Sequence, residues 1–417
     1  MNDIQAQFID VDDLRVGMYV YLDLGWIGHP FALNHFKIVS DAQIDTIRGL
    51  DLQRLRWSPE RSDLIASDAT PEVAAAPEST SPAELRRQRL LAQRSRLARC
   101  ERDFSDATRR FRDLSKLLKN NPDAARQQAE AMADGLVSTL LDQGESFIRL
   151  LSEKAGEKAS LHTINVTVIA LLLGKSLGYT ADELKRLGLG ALLHDIGKMT
   201  LPERLRWRDD GFTSAERNLF QQHVAQGVAL AERMGVDADV RTIIAQHHEY
   251  MDGSGYPSRL TGEMLLPASR ILVLVNDYDT LCNPANPVAA ITPHKALSLM
   301  FAQSRAKFDA AILSVFIRMM GVYPPGSLIQ LTDDRYALVV SVNSSRPLKP
   351  QIILYDPKVP RDDALVIDLE EHPELGIRQS LKPLQLPRAA SDYLSPGQRM
   401  CYFFERARQT VNALDDR

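Results

Sequence analysis

The sequence predicts a mainly α protein, with an all-helical central domain, a small α+β module ahead of it and a small β-rich extension behind it. Three observations lead there. Between residues 123 and 320, apolar residues recur at helical spacing at 133–152, 160–178, 182–196, 214–235, 237–248, 267–282 and 294–319, with few strand signals. Residues 7–61 instead alternate short apolar runs with turn residues. Beyond residue 321 the pattern changes again. Pro324, Pro325 and Gly326 make a turn, and Leu328–Leu331, Tyr336–Val342, Ile352–Tyr355 and Leu365–Leu369 read as short strands.

In chain order, residues 1–62 form the α+β module, with a strand at Val16–Tyr21 and a short helix from Asp41 to Leu50 opened by Ser40 as a cap. Residues 63–83 are rich in Ala, Pro, Ser and Thr, the composition of a flexible linker. Residues 84–139 are a charged helical connector. Leu90, Leu97, Phe104, Phe111 and Leu118 repeat every seven positions, but the companions Gln93, Cys100, Ala107 and Leu114 turn apolar only late, which is half of a coiled-coil signal. Two readings stay open there: one amphipathic helix lying on the next domain, or a helix that pairs two copies into a homodimer. The helical domain runs over 140–320, and 321–417 holds the β extension and a C-terminal helix near 395–412.

A length of 417 residues calls for two or three domains, and 44% hydrophobic with 25% charged residues is an ordinary globular balance. A net charge of −4 argues against a nucleic-acid polymer as partner. The three cysteines, Cys100, Cys282 and Cys401, are far apart and odd in number, which fits free thiols in a reducing cytoplasm. The first residues lack the apolar core of a secretion signal, and the longest apolar run, Val166–Leu173, falls well short of the ~20 residues that cross a bilayer. The expectation is a soluble, cytoplasmic protein with no membrane partner.

Histidine placement carries the chemistry. Of nine histidines, His162, His194, His223, His247 and His248 fall in the helical segment, near helix ends or on apolar faces. In LLHDIGK, residues 192–198, a helix would put His194, Asp195 and Lys198 on neighbouring faces. A His and an Asp from one turn can both ligate a metal, a carboxylate can bridge two cations, and Lys198 adds a charge for phosphate. In HHEYMDGSGYP, residues 247–257, two histidines end an apolar helix (Val240, Ile243, Ile244). Neighbours on a helix diverge by about 100°, so the pair suits two metals, or one metal and a ligand. Asp252, Gly253, Gly255, Tyr256 and Pro257 then form a tight turn whose glycines let the backbone approach a substrate. His162 and His223 each sit on apolar stripes, where a lone histidine is ordinarily core; the company of the others makes them ligands. Imidazole and carboxylate donors suit iron or manganese, with zinc or nickel as alternatives. Two such ions about 3.5–4 Å apart polarise a phosphodiester and activate water. No Walker loop and no convincing catalytic triad is present.

These residues resemble the HD-GYP family, a branch of the HD phosphohydrolases: His194-Asp195 match its HD and Gly255-Tyr256-Pro257 its GYP, over about residues 140–320. LRVGMYV and WIGHPF resemble a small domain of unknown function commonly fused ahead of such enzymes. The resemblance implies an all-helical domain that hydrolyses cyclic di-GMP to linear pGpG and then GMP with two divalent metals. The implied metal ligands are His162, His194, Asp195, His223, His247 and His248, with Lys198 on substrate phosphate and Asp195 and Lys198 as catalytic groups. Three positions depart from the family. Six residues after Arg270, where the family has an Asp ligand, stands Asn276, whose amide oxygen is a neutral, weaker donor. Four residues before His162, where members with three metals carry Glu, stands Lys158. Residues 279–288, DTLCNPANPV, lack the family's Arg-rich stretch. The alternative is a degenerate domain that binds cyclic di-GMP, or other signalling proteins through the GYP loop, without turnover.

Overall fold

The computed structural model describes residues 7–22, 35–50, 52, 54–62, 81–118, 120–142, 146–151, 158–206, 211–342, 348–395, 397 and 399–406. The chain divides into two compact units, Met1–Thr80 and Ser81–Arg417. WIGHPF and residues 63–80 of the expected linker lie outside the described residues, and residues 82 and 83 already belong to a helix.

In the first unit, β1 (Gln7–Asp10), β2 (Tyr19–Tyr21), β3 (His35–Lys37) and β4 (Arg54–Ser58) form an antiparallel sheet of order β1-β4-β2-β3. Val20 and Leu55 of this sheet share a core with Ile44 and Ile47 of α1 (Asp41–Arg48). The strand expected from Val16 begins only at Tyr19, because Gly17 takes a φ of +96° in a turn that ties its N–H to the Ile38 carbonyl at 2.8 Å. Ser40 precedes α1 but its side chain does not cap it; Gln43 instead reaches back, its Oε1 accepting the Val39 N–H at 2.8 Å.

The second unit begins with α2 (Pro82–Leu117), opened by a reciprocal Ser81/Glu84 capping box, and α3 (Pro122–Leu141). After β5 (Ser146–Leu151) come α4 (Lys158–Ser176), α5 (Ala181–Leu193), α6 (Glu203–Arg206), α7 (Ser214–Gln221), α8 (His223–Arg233), α9 (Ala238–Gln246), α10 (Pro267–Cys282), α11 (Pro293–Gln303) and α12 (Ala310–Met320). Then follow β6 (Leu328–Leu331), β7 (Tyr336–Val342), β8 (Gln351–Leu354), β9 (Val366–Asp368), β10 (Ile377–Leu381), α13 (Arg388–Leu394) and β11 (Cys401–Arg406). Two expectations are corrected here, and one open reading is decided. The helical domain is not free of strands: residues 146–151, assigned to the end of a helix at 133–152, form β5 between β7 and β11. CYFFER is a strand and not the C-terminal helix expected near 395–412, because its run of aromatic residues is buried along its whole length and a short apolar run carries no period to separate the two. Finally, the heptad residues Phe104, Phe111 and Leu118 of the connector are buried in the core of their own unit, with Cys100 Sγ donating to the Phe404 carbonyl at 3.3 Å. The stripe is used within the chain, as in the reading of one helix lying on the next domain.

Candidate metal centre

His162 lies within α4, and the other four histidines sit at or just beyond helix ends. α5 ends at Leu193, so His194 occupies its C-cap, and Asp195 lies in the turn before a 3₁₀ segment at Ile196–Thr200. The expected continuous helix through HD is therefore broken, yet the tight turn still brings Lys198 Nζ to 2.7 Å from Asp195 Oδ2. His223 opens α8 directly after α7, and His247 and His248 follow the last turn of α9.

The five imidazoles and one carboxylate converge. Asp195 stands between two groups, one with His162 and His194 and one with His223, His247 and His248. Its Oδ2 is 3.3 Å from His194 Nε2 and 3.6 Å from His162 Nε2, and its Oδ1 is 3.6 Å from His223 Nε2 and 3.7 Å from His247 Nε2. His247 and His248 both fall in the second group.

The outer nitrogens decide the tautomers. Nδ1 of His194, His223 and His247 lies 2.6–2.7 Å from the carbonyls of Ala191, Phe220 and Ile244, and Nδ1 of His162 lies 2.7 Å from Asp279 Oδ2. A carbonyl or carboxylate can only accept, so each Nδ1 carries the proton and each Nε2 a lone pair. Those lone pairs face one another, at 3.2 Å for His223 and His247 and 3.4 Å for His162 and His194. Facing lone pairs in a buried site repel unless a cation lies among them. Buried Asp195 Oδ1 and His248 Nε2 also have no hydrogen-bond partner in the protein. The donor set fits divalent cations.

Electrostatics agree. Burial holds the His194 and His248 imidazoles below their usual range and pushes His223 down to about 3, so they stay neutral and able to ligate. Burial raises the Asp195 carboxyl, but Lys198 and His194 outweigh it and hold the group well below the ordinary carboxylate range.

The GYP turn closes over its own histidines. Glu249, fully buried, accepts the N–H groups of Ser258 at 2.5 Å and Leu260 at 2.9 Å, and Tyr256 stacks on His248 with ring centres 4.6 Å apart. Gly255 is required: a Cβ there would lie 2.5 Å from the His248 carbonyl oxygen. Asp252 is exposed and bonded to Ser254, Gly253 takes a φ of +75°, and Pro257 is exposed. His162 and Lys198, with side chains 27% and 24% exposed against 0% for His194, His223 and His247, mark the open side.

Asn276 is buried on α10. Asp277, one position on, points elsewhere and accepts from the Tyr250 hydroxyl at 2.9 Å, as a step of one helical residue requires. Sequence reasoning missed Asp279, which orients His162, and the two amides that hold it. Asn165 and Asn283 donate to Asp279 Oδ1 at 2.9 and 2.8 Å and both also donate to the Met400 carbonyl. The available signal was spacing: Asn165 follows His162 by three residues and Asp279 follows Asn276 by three, each on a shared helix face.

A family model described as "HD domain" matches residues 113–312, and one described as "Domain of unknown function (DUF3391)" matches residues 7–129. Residues 113–312 thus match an HD domain, and the residues at the HD and GYP positions resemble those of the HD-GYP family. It is 26% identical over 364 residues to the cyclic di-GMP phosphodiesterase PA4108 of Pseudomonas aeruginosa, covering 83% of this chain and 84% of that one. It is 27% identical over 211 residues to the cyclic di-GMP phosphodiesterase response regulator RpfG of Xanthomonas campestris, covering 48% of this chain and 55% of that protein. Among solved structures, Bd1817, a HDG"Y"P protein from Bdellovibrio bacteriovorus, aligns with a TM-score of 0.41 at 15% identity, over 74% of this chain and 97% of that one. Among the described residues, no helix is long and apolar enough to cross a membrane.

Proposed function

We propose that this HD-GYP protein is a phosphodiesterase that opens cyclic di-GMP to pGpG, and further to GMP, with two divalent cations, iron or manganese, at the histidine cluster. The observation that carries this reading is Asp195, with one oxygen turned to each of two imidazole groups whose Nε2 lone pairs face inward. His162 and His194 would hold one ion and His223, His247 and His248 the other, with Asp195 shared between them and Asn276 offering an amide oxygen from α10. When bound, such ions lower the charge on a phosphodiester and activate water.

The chain's own groups supply the rest. Lys198, on the open side, holds a positive charge where a phosphate would enter and keeps Asp195 ionised. The Nδ1 anchors fix the rings before substrate arrives, so little reorganisation accompanies the reaction. Tyr256, stacked on His248, offers an aromatic surface at the edge of the site for a guanine. In the net reaction one water is consumed: its oxygen joins phosphorus, the P–O3′ bond breaks and the ribose 3′ oxygen takes a proton. Three buried free thiols support a reducing, cytoplasmic setting.

The test is anaerobic purification, loading with iron(II) or manganese(II), and chromatography of cyclic di-GMP, with a His194→Ala/Asp195→Ala double variant as control. The expected result is two metal equivalents and pGpG or GMP, both lost in the control. Bound metal without product would make the chain a binding module, and no bound metal would remove the site as described.

A further inference from the structure

Tyr250, two residues after His248, carries the GYP turn onto two other elements of its unit. Several ties within the turn are local. The His248 carbonyl accepts the Tyr256 N–H at 3.1 Å, and Glu249 holds the N–H groups of Ser258 and Leu260. Such bonds fix the shape of the turn but not its place. Tyr250 reaches further. Its hydroxyl lies 2.9 and 3.2 Å from the two carboxylate oxygens of Asp277 on α10. The Lys307 ammonium, from the turn before α12, lies 4.6 Å from its ring centre, and the Phe308 ring meets it edge to face at 6.2 Å. The next residue, Met251, donates its N–H to the Lys307 carbonyl at 2.9 Å.

α10 therefore meets both halves of the histidine cluster. Asp279 bonds His162 Nδ1 at 2.7 Å, in the first group. Asp277, two residues earlier and on another face of the helix, accepts from Tyr250, whose backbone continues from His247 and His248 of the second group. A helix is a stiff hydrogen-bonded rod, so these two ties fix one imidazole group relative to the other. The pairing is also selective. Among the described residues the Asp277 carboxylate has no other hydrogen-bond partner and no ion pair, so it is committed to Tyr250. A hydroxyl bonded to a carboxylate is held about twice as strongly as one bonded to a neutral acceptor, which suits a tie that must keep its length. A tyrosine that only filled the core would need no charged partner.

We infer that Tyr250 and Asp277 are positioning residues, whose bond sets the gap across Asp195 between the His162–His194 group and the His223–His247–His248 group and so holds the second group ready for its ion. What the groups bind rests on the two-cation phosphodiesterase reading. The contact itself rests on the fold alone. Neither residue is placed at the reacting atoms: Tyr250 acts on His248 through the backbone between them, and Asp277 acts through α10.

Manganese(II) binding to the full chain, stripped by a chelator and reloaded, tests this by titration calorimetry and by electron paramagnetic resonance, which separates a magnetically coupled pair of ions from isolated ones. The wild type is expected to take two equivalents and show the coupled signal. In Tyr250→Phe the second equivalent should bind about tenfold more weakly, the low end of the loss when a ligand's outer support is removed, and the coupled signal should fade while the first equivalent stays. Asp277→Ala should do the same, and the double variant no worse than either alone, because both remove one bond. Asp277→Asn, whose amide oxygen still accepts the hydroxyl, should recover the coupled signal. Every reading is taken well below the Tm of each variant, and if Tyr250→Phe does not fold, Asp277→Ala against Asp277→Asn carries the same comparison. A lowered Tm with two equivalents and an intact coupled signal in Tyr250→Phe would overturn the inference and leave Tyr250 a core residue. Asp277→Asn behaving as Asp277→Ala would overturn it as well, as would a wild type that takes no second ion. If the wild type holds a coupled pair that Tyr250→Phe loses, yet yields no product from cyclic di-GMP, the positioning pair stands and the phosphodiesterase reading falls. Product from the wild type, with the coupled pair intact in Tyr250→Phe, gives the reverse.

Discussion

Asn276 is the residue at which sequence and geometry bear most directly on activity. It is buried and one helical turn before Asp279, the carboxylate that bonds His162. An Asn276→Asp substitution is therefore expected to tighten metal binding and raise turnover of cyclic di-GMP severalfold, read by metal titration and product chromatography. Unchanged values would show that Asn276 either ligates adequately as an amide or does not ligate. The histidines give a second prediction, for the metal-free chain. His223 is held at about 3 by burial, against an ordinary value of 6.5. Between those values the unfolded chain binds the extra proton, so stability falls as pH drops below about 6.5. Thermal melts of chelated protein should show a lower Tm at pH 5 than at pH 7.5, and equal values would count against neutral buried ligands.

At the scale of elements, the site depends on backbones that touch. Gly197 lets the 3₁₀ segment meet α8 directly: a Cβ there would lie 1.9 Å from the His223 carbonyl oxygen and 2.5 Å from the Gly227 nitrogen. Backbone cannot yield as a side chain does, so Gly197→Ala should cost at least the ~1–3 kcal/mol of an overpacked core and separate Asp195 from His223. The readouts are denaturant midpoint and metal stoichiometry, with loss of the second equivalent expected. The C-terminal segment gives a different prediction. Asn283 donates to Asp279 and accepts the Met400 N–H at 2.7 Å, while the Asn165 side-chain oxygen accepts the Tyr402 N–H at 3.0 Å. The backbone entering β11 thereby fixes the carboxylate that orients His162. Asn283→Ala should weaken metal affinity by about 10–100-fold, the usual loss when an outer partner of a ligating histidine is removed. An unchanged affinity with a lowered Tm would reduce Asn283 to a purely structural tie.

At the scale of the molecule, the second unit buries all three thiols where the helices meet the C-terminal sheet. Burial pushes Cys100 up to about 12 from an ordinary 9.0 and raises Cys282 well above that ordinary value too. The folded chain keeps those protons longer than the unfolded chain, so stability is complete below about pH 9 and declines as pH rises beyond it. A thiol reagent should label none of the three cysteines in the native protein near neutral pH and all three in denaturant. Rapid native labelling would contradict the burial. Most of this architecture was legible in advance. The strands Leu328–Leu331 and Tyr336–Val342 and helix Pro267–Cys282 begin and end where periodicity put them, because long or cleanly alternating runs carry a measurable period. β5 and β11 were not, since a six-residue apolar run fits a helix turn or a strand equally well until its partner is known.

The residue types and spacings were enough to point to the HD domain, its helices and, as candidate ligands, His162, His194, Asp195, His223, His247 and His248, because metal chemistry restricts which side chains can serve. Tertiary structure alone decided how they are shared: Asp195 divided between two groups, His247 and His248 on the same side, and His162 oriented by Asp279 under two asparagines and a C-terminal strand. The ties of His162 and Asn165 to Asp279 join residues more than a hundred positions apart, and a linear pattern records periodicity along the chain but not which surfaces meet.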